Sequence, residues 1–432
     1  MKRSLFKDIA SVFGSNVFAL FAGLLVGIVL ARVLGPEGKG TYTALTVVPA
    51  IVVSFTALGM RRTAVYFIGR KDSDPSLIAS SVITILIFSA LLGMLVTIAV
   101  FFFLDNPQFT PLYIGLVTLV IPLRLGAVYI AGIYLGKENF RFANMLKWMI
   151  PLLNLILVII LVWGASGGIT GAILAMLLAS LIVSVLAITR LSRDFHLRIT
   201  FRRDILRRMI RLGILYATSF LIMKLIYRVD VILLEHFSSL KEVGYYSIAV
   251  NIAERIWQLP MAMGIVIMSR SANEKIRGEM ESSLGSLLRL SLISGMLGAV
   301  ALYFLAPLLV PLLYGRAFGP GSVMLQTILP GIILFIVFRL LNSRLNGLGK
   351  PLVAIYSAIP ALVINVALNV LWIPDYGGTG AAMATNVSYI AATVILVWRY
   401  TAVTGTAGKA LLMPQKRDYQ MISNKINKLL KR

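Results

Sequence analysis

Eight ionisable side chains lie inside long apolar stretches of the sequence, where an isolated charge is costly. An ionisable residue at the centre of a bilayer costs about 2.5–3.5 kcal/mol on insertion scales. The cations are Arg32, Arg124, Lys224, Arg228, Arg255 and Arg339, and the acids are Asp230 and Glu254. Since cations exceed acids, pairing within the set leaves positive charge unbalanced. A water-filled cavity presented to an anion accounts for the excess, and arginine binds pyrophosphate bidentately. Arg32, near the end of its stretch, has the alternative of snorkelling to the interface.

The two acids have two interpretations that the sequence leaves open. Lys224 and Arg228 are four residues apart and share one helical face, whereas Asp230 points to another side. Asp230 and Glu254 either pair with Arg228 and Arg255 or bind a coupling ion, H⁺ or Na⁺. Apart from such an ion, no cofactor is expected.

Amide side chains form polar stripes at helical spacing within the same apolar stretches. Their carboxamides suit hydrogen bonding to sugar hydroxyls on a cavity wall. The alternative is that they bond across helix interfaces, as polar residues of membrane bundles often do. The candidate sugar-contacting residues are Asn251, Gln258, Asn342, Asn346, Asn365 and Asn369.

Composition identifies the elements that must position these residues. The 432 residues are 59% hydrophobic and 13% charged, with a mean hydropathy of +0.89, whereas soluble domains are about 25% charged. Stretches of this length and hydrophobicity predict an all-α polytopic membrane protein. Twelve spans are predicted, at 9–34, 40–59, 77–104, 112–135, 146–164, 169–189, 212–235, 243–268, 287–313, 323–343, 351–373 and 380–399.

The basic residues sort by side and give the topology. Of 41 lysines and arginines, 32 fall in the termini and alternate connections, and only Lys39, Lys241 and Arg316 fall in the others. By the positive-inside rule, both termini are cytoplasmic. The net charge of +24 therefore reflects topology rather than nucleic-acid binding. The chain lacks cysteine, and its two histidines form no metal-ligand pattern, so no metal site is expected.

Internal repeats divide the chain into two halves of six helices with the same orientation. Gly40 and Tyr42 match Gly244 and Tyr246 at a separation of 204 residues. Gly-Gly pairs at 167–168 and 377–378 precede the last helix of each half. Parallel repeats of this kind build transporters with a site near the middle of the membrane.

The repeats predict a domain plan with two basic segments. Six-helix lobes are expected at 1–193 and 212–401. The intervening stretch 194–211 is interpreted as a basic cytoplasmic connector, either solvated or lying on anionic lipid through an apolar face. The tail, 402–432, spaces Tyr419, Ile422, Ile426 and Leu429 on one face, which predicts an interfacial helix.

Three motifs carry a family resemblance over nearly the whole chain. ARVLGPEGKGTY (31–42), YRVDVILLEHFSSLKEVGYYSIA (227–249) and LLYGRAF (312–318) resemble the polysaccharide-biosynthesis (Wzx-type) flippases. That family shares a superfamily, the multidrug/oligosaccharidyl-lipid/polysaccharide exporters, with multidrug extruders and lipid II flippases. The resemblance implies a MATE-like V of two lobes in the cell (inner or plasma) membrane. It also implies transfer of a lipid-pyrophosphate-linked oligosaccharide, on an undecaprenyl- or dolichyl-type carrier, to the outer leaflet by alternating access.

Two other functions are weighed against this one. An ion-coupled exporter of drugs or organic cations from the same superfamily would require acids at depth, and the first half has none. A membrane-embedded polysaccharide polymerase would need a sizeable polar loop, whereas every predicted external loop is shorter than about ten residues. No catalytic residues are therefore assigned. Expected partners are the lipid-linked oligosaccharide, anionic membrane lipids and other polysaccharide-assembly membrane proteins.

Overall fold

The computed structural model describes residues 2–69, 74–198, 200–272 and 279–406, and these residues form helices and no strands. The α-helices are α1 (Lys2–Thr56), α2 (Met60–Gly69), α3 (Pro75–Leu104), α4 (Pro111–Gly136), α5 (Phe140–Val158), α6 (Gly168–Asp194), α7 (Arg203–Phe237), α8 (Leu240–Ala253), α9 (Gln258–Ala272), α10 (Glu279–Tyr314), α11 (Gly321–Gly347) and α12 (Pro351–Thr404). A π-turn over Ile159–Gly164 extends α5, and a 3₁₀ turn over Glu254–Trp257 joins α8 to α9.

Eight helical segments of the described chain are long and apolar enough to cross a membrane. The first and last of these contain a break, at Gly35 (φ 68°) and Gly377 (φ 53°), where positive φ reverses the chain between two predicted spans. The predicted spans 212–235 and 243–268 coincide with α7 and with the α8–α9 run, which lie outside these eight. The all-helical membrane fold is confirmed.

Contacts group the chain into two compact units. The first unit comprises Met1–Ile248 with Val310–Pro320, and the second comprises Ala249–Leu309 with Gly321–Arg432. The first unit thus contains α7 and the beginning of α8, in addition to α1–α6. The predicted lobes at 1–193 and 212–401 follow the repeats rather than these contacts, and they stay a prediction.

The predicted connector is largely helical, since α7 begins at Arg203. Met209 is fully buried in the apolar core of the first unit, and Ile205 and Leu206 pack against that core. Arginines 203, 207, 208 and 211 point outward and are exposed. This part of the segment is amphipathic, with one apolar face on the core and the arginines outside, whereas Phe201 just before it is 66% exposed. Contact with anionic lipid stays a prediction. The predicted interfacial helix of the tail lies outside the described residues.

The repeat glycines form a close helix crossing inside the first unit. A Cβ on Gly40 would lie 1.6 Å from the carbonyl oxygen of Leu240, and one on Gly244 would lie 2.0 Å from that of Pro36. Shifting each residue by 204 positions exchanges one contact for the other, so the crossing is reciprocal, as at a two-fold axis. The predicted repeat therefore brings its own motif glycines into backbone contact.

Candidate functional site

The first unit has an open cavity of about 910 Å³ between α1, α2, α4 and α7. Apolar side chains such as Val53, Met60 and Val128 form most of its wall. The charged groups on the wall are Arg61, Arg62 and Lys224, accompanied by Tyr227. No acidic residue belongs to the described lining, so the cavity is basic and attracts anions.

A break in the chain positions the two arginines. After Thr56 the helix stops, and Leu58 and Gly59 adopt positive φ before α2 begins at Met60. Met60, Thr63 and Ala64 are fully buried, so one face of α2 anchors in the core. The intervening Arg61 and Arg62 are exposed on the other face.

Two glycines bring the neighbouring helices close to this turn. A Cβ on Gly132 of α4 would lie 2.7 Å from the Cα of Arg61. A Cβ on Gly213 of α7 would lie 2.2 Å from the carbonyl oxygen of Leu58. Glycine at both positions lets α4 and α7 pack directly against the backbone that carries Arg61. The guanidinium is therefore held on a rigid support.

The third cation comes from α7. Lys224 and Tyr227 are three residues apart and line the cavity together, whereas Ile226 is fully buried. Lys147 of α5 is close enough to Arg61 for their charges to repel. Four basic groups therefore lie in or near this cavity, and a compact anion between them would relieve their repulsion.

The remaining predicted cations of the first unit lie elsewhere. Arg32 donates to two carbonyls at the end of α10, from Nε to Leu313 (2.9 Å) and from Nη2 to Leu312 (2.5 Å). It thereby caps that helix C-terminus, where positive charge is stabilising. Arg124 lies within electrostatic range of the Tyr42 hydroxyl rather than on the cavity wall.

Arg228 directly follows the cavity residue Tyr227 on α7, and Asp230 lies three residues after Tyr227. Arg228 donates from Nη1 to the carbonyl oxygen of Tyr227 (3.1 Å). Asp230 is 2% exposed, and its Oδ2 accepts a hydrogen bond from the Tyr246 hydroxyl. Its Oδ1 accepts from the backbone N–H of Val231 at 2.8 Å. Asp230 thus links α7 to the Gly-Tyr-Tyr motif of α8. Its role as an ion-coupling group stays a prediction.

The second unit holds the other charged candidates. Glu254 and Arg255 both lie in the 3₁₀ turn between α8 and α9, and Arg255 Nε is buried with no hydrogen-bond partner in the described structure. The Arg339 guanidinium lies 4.5 Å from the ring centre of Trp257, a cation–π contact. Trp257 Nε1 donates to the carbonyl oxygen of Ile332 at 2.8 Å, which fixes the ring.

The amide stripes divide into exposed and buried members. Asn251, Gln258 and Asn346 are exposed, and Asn346 Nδ2 donates to Asn342 Oδ1 at 3.1 Å. Asn365 and Asn369 are fully buried, and Asn369 Nδ2 donates to the Oδ1 (3.0 Å) and backbone oxygen (2.8 Å) of Asn365. In this structure, the last two amides are inaccessible to a solute. Sugar contact therefore stays a prediction for all six residues.

Sequence reasoning missed Arg61 and Arg62. Counting basic residues placed them in the cytoplasmic connection after the second span, but both lie on α2. A signal was available, because Met60, Ala64 and Ile68 recur every four residues and predict a helix with one buried face. The same count placed Arg344 in the connection after the predicted span 323–343, whereas it lies on α11 and is only 2% exposed.

Comparisons with known proteins agree with the fold. The family model described as polysaccharide biosynthesis protein matches residues 5–268, and the MatE model matches residues 216–371. The capsular polysaccharide biosynthesis protein CapF of Staphylococcus aureus is 22% identical over 403 residues, which cover 92% of this chain and 99% of CapF.

Solved membrane transporters share the fold at low identity. The lipid II flippase MurJ, in an inward closed conformation, aligns with a TM-score of 0.74 at 14% identity, over 93% of this chain and 88% of MurJ. An inward-facing multidrug resistance MATE family transporter of the MOP superfamily aligns with a TM-score of 0.71 at 18% identity, over 90% and 96% of the two chains. Because the first family model covers more than half of the sequence, the chain belongs to the polysaccharide biosynthesis protein family.

Proposed function

We propose that this protein transfers a lipid-pyrophosphate-linked oligosaccharide from the cytoplasmic to the outer leaflet, with the basic cavity of the first unit binding the pyrophosphate. The observation that carries the proposal is the grouping of Arg61, Arg62 and Lys224 on a wall whose described residues include no acid. Lys224 was expected in such a cavity from the sequence, and the two arginines add two guanidinium groups that donate to phosphate oxygens.

The chemistry of the cavity suits this cargo. A guanidinium binds two phosphate oxygens through parallel hydrogen bonds, and the Lys224 ammonium supplies a compact point charge. A volume of about 910 Å³ is at the upper end of the range for small-ligand sites, about 300–1,000 Å³. It accommodates a pyrophosphate together with the first sugars.

Family membership supports the class of cargo. CapF is a capsular polysaccharide biosynthesis protein, and MurJ is a lipid II flippase. The proposed carrier is an undecaprenyl- or dolichyl-type lipid, and the proposed location is the cell (inner or plasma) membrane with both termini cytoplasmic. The proposed transfer proceeds by alternating access, with H⁺ or Na⁺ as the coupling ion.

Export of organic cations is the second candidate, from the same superfamily. The positive charge of the cavity argues against cation export, because its three basic side chains repel a cationic drug. A polysaccharide polymerase is weaker, since the described residues of the cavity wall include no carboxylate pair for glycosyl transfer.

Reconstituted vesicles test the proposal. The purified protein is placed in liposomes that carry a lipid-pyrophosphate oligosaccharide in the inner leaflet, and exposure of the glycan outside is followed with and without H⁺ and Na⁺ gradients. Arg61→Glu is compared with Arg207→Glu, a matched reversal at an exposed position of α7 outside the cavity.

We expect protein-dependent exposure that Arg61→Glu abolishes and Arg207→Glu retains. Equal transport by both variants would overturn the assignment of the cavity. Efflux of an organic cation without glycan exposure would support the second candidate instead.

A further inference from the structure

One buried acid of the first unit has no role in the basic cavity. Glu235, near the end of α7, is 6% exposed. Its Oε1 accepts a hydrogen bond from Asn106 Nδ2 at 2.7 Å. Its Oε2 is buried and has no hydrogen-bond partner in the described structure. A carboxylate accepts through two oxygens, so half of this group is left without a donor.

No salt bridge to Glu235 is found within the described residues to compensate the charge. His236 follows it on α7 and is the charged or titratable neighbour within electrostatic range. On α1, Lys39 donates to Thr43 Oγ1 (3.3 Å) and lies over the Tyr42 ring. The neighbouring elements also carry Glu37 on α1, Asp105 in the α3–α4 loop, and Lys241 and Glu242 at the start of α8.

Burial decides the protonation state of such a group. Removing an ionised carboxylate from water without a counter-charge costs far more than removing the neutral acid. One neutral hydrogen bond from Asn106 does not replace the lost hydration. We propose that Glu235 is a proton-binding site, holding a proton while the α3–α4 loop covers it and releasing the proton when that loop moves away.

The covering loop is hydrogen-bonded to both α7 and α1, so a change at Glu235 affects the contact between these two helices. Asn106 Oδ1 accepts from the backbone N–H of Gln108 at 2.9 Å. Gln108 Nε2 donates to Glu37 Oε1 at 2.8 Å, and its Oε1 accepts from the Thr41 hydroxyl at 3.0 Å. One loop thus bridges Glu235 and two residues of α1. When the carboxyl group loses its proton, the ionised form is stable only if water reaches it. Water reaches it when the hydrogen bonds of this loop break.

The linkage has a definite sign. The covered form binds the proton more tightly than the open form, so rising pH favours opening. At pH values where the covered form is protonated and the open form is ionised, each pH unit changes the ratio of the two forms by up to about tenfold. In the predicted topology, this loop is external, so the proton exchanges with the outside.

The chain has no cysteine, which permits a direct test by thiol labelling. Phe109 is 5% exposed and packs edge-on against Phe101, whereas Pro107 in the same loop is exposed. The variants Phe109→Cys and Pro107→Cys are each made with Glu235 and with Glu235→Gln. Gln keeps an acceptor for Asn106 and mimics the protonated acid. Labelling by a membrane-impermeant thiol reagent is measured across pH in liposomes without substrate.

We expect the Phe109→Cys rate, divided by the Pro107→Cys rate, to rise with pH when Glu235 is present. The ratio should stay low and flat with Glu235→Gln. The same pH dependence in both backgrounds would overturn the proposal. A second measurement uses the unmutated loop, where infrared spectroscopy should show a protonated carboxyl band that Glu235→Gln removes. Absence of that band at neutral pH would also overturn it. Neither readout requires a lipid-linked substrate, so failure of the flippase assignment is separately visible.

Discussion

Substitution of Gly244 by alanine tests the crossing between the two repeats most directly. The new Cβ would lie 2.0 Å from the carbonyl oxygen of Pro36 and 2.9 Å from its carbonyl carbon. Ordinary Cβ contacts begin at 3.4 Å, so the two backbones must separate by about 1.4 Å. Because both atoms belong to backbone, no side-chain rotation relieves the clash. Overpacking of this kind costs about 1–3 kcal/mol, and rigid backbone places Gly244→Ala at the upper end.

The control is Gly23→Ala on α1, where a Cβ would meet nothing within 4 Å. Alanine in a helix interior is better than glycine by about 0.5–1 kcal/mol, so this variant should be neutral or slightly stabilised. Thermal unfolding midpoints of both variants are measured in detergent at matched pH. Gly40→Ala, with its Cβ 1.6 Å from the Leu240 oxygen, should behave like Gly244→Ala, since the contact is reciprocal.

The refuting result is an unfolding midpoint for Gly244→Ala equal to that of Gly23→Ala. Such a result would mean that the crossing is looser than the distances require. The reciprocal contact would then no longer account for the glycines of the repeat.

Three further substitutions probe other contacts. Tyr246→Phe removes the hydrogen bond to the buried Asp230 carboxylate, and we expect a loss of about 1.5–3 kcal/mol in unfolding free energy, seen as a lower midpoint; an unchanged midpoint would mean that other donors satisfy the acid. Arg32→Ala removes the cap on α10 at a cost of about 1–2 kcal/mol while retaining glycan exposure in vesicles; lost transport at an unchanged midpoint would return Arg32 to the substrate site. Arg339→Gln removes the guanidinium and with it the cation–π contact with Trp257, which is worth about 0.5–2 kcal/mol. Thermal scans of a double-mutant cycle with Trp257→Leu, which removes the ring, should detect this contact as coupling, and additive effects would contradict the contact.

The sequence was most informative about single helices. Apolar length alone predicted an all-helical membrane protein, because hydropathy sums over neighbouring residues and needs no tertiary contact. The repeat was readable for the same reason, since Gly40 and Gly244 stand in similar local motifs. The ends of the helices were predicted less accurately. The second predicted span ends at residue 59, but the chain there makes only a short turn before α2, which carries Arg61 and Arg62.

The candidate site was predicted only in part. Lys224 was expected on a basic cavity and lines one, and Arg32 was expected near a helix end. The arginines of α2 were missed because a count of charges per connection does not distinguish a solvated loop from a helix face. The sequence indicated Arg228 as one partner of Asp230, and that pairing stays a prediction. The hydrogen bond from Tyr246, which lies on a different helix, is visible only in the tertiary structure.

The sequence by itself determined the class of protein, an all-helical membrane protein that resembles the polysaccharide flippases. Its twelve spans, the cytoplasmic side of its basic segments and its two six-helix lobes are predictions from the same sequence. The tertiary structure alone decided which charges share a space. Gly132 and Gly213 allow α4 and α7 to reach the turn before Arg61, and that approach assembles the cavity. It also decided that Glu235, at the end of the predicted span 212–235, is buried with no salt bridge among the described residues. The physical reason is that burial and pairing depend on atoms brought together from distant segments, and no periodicity along one helix records them.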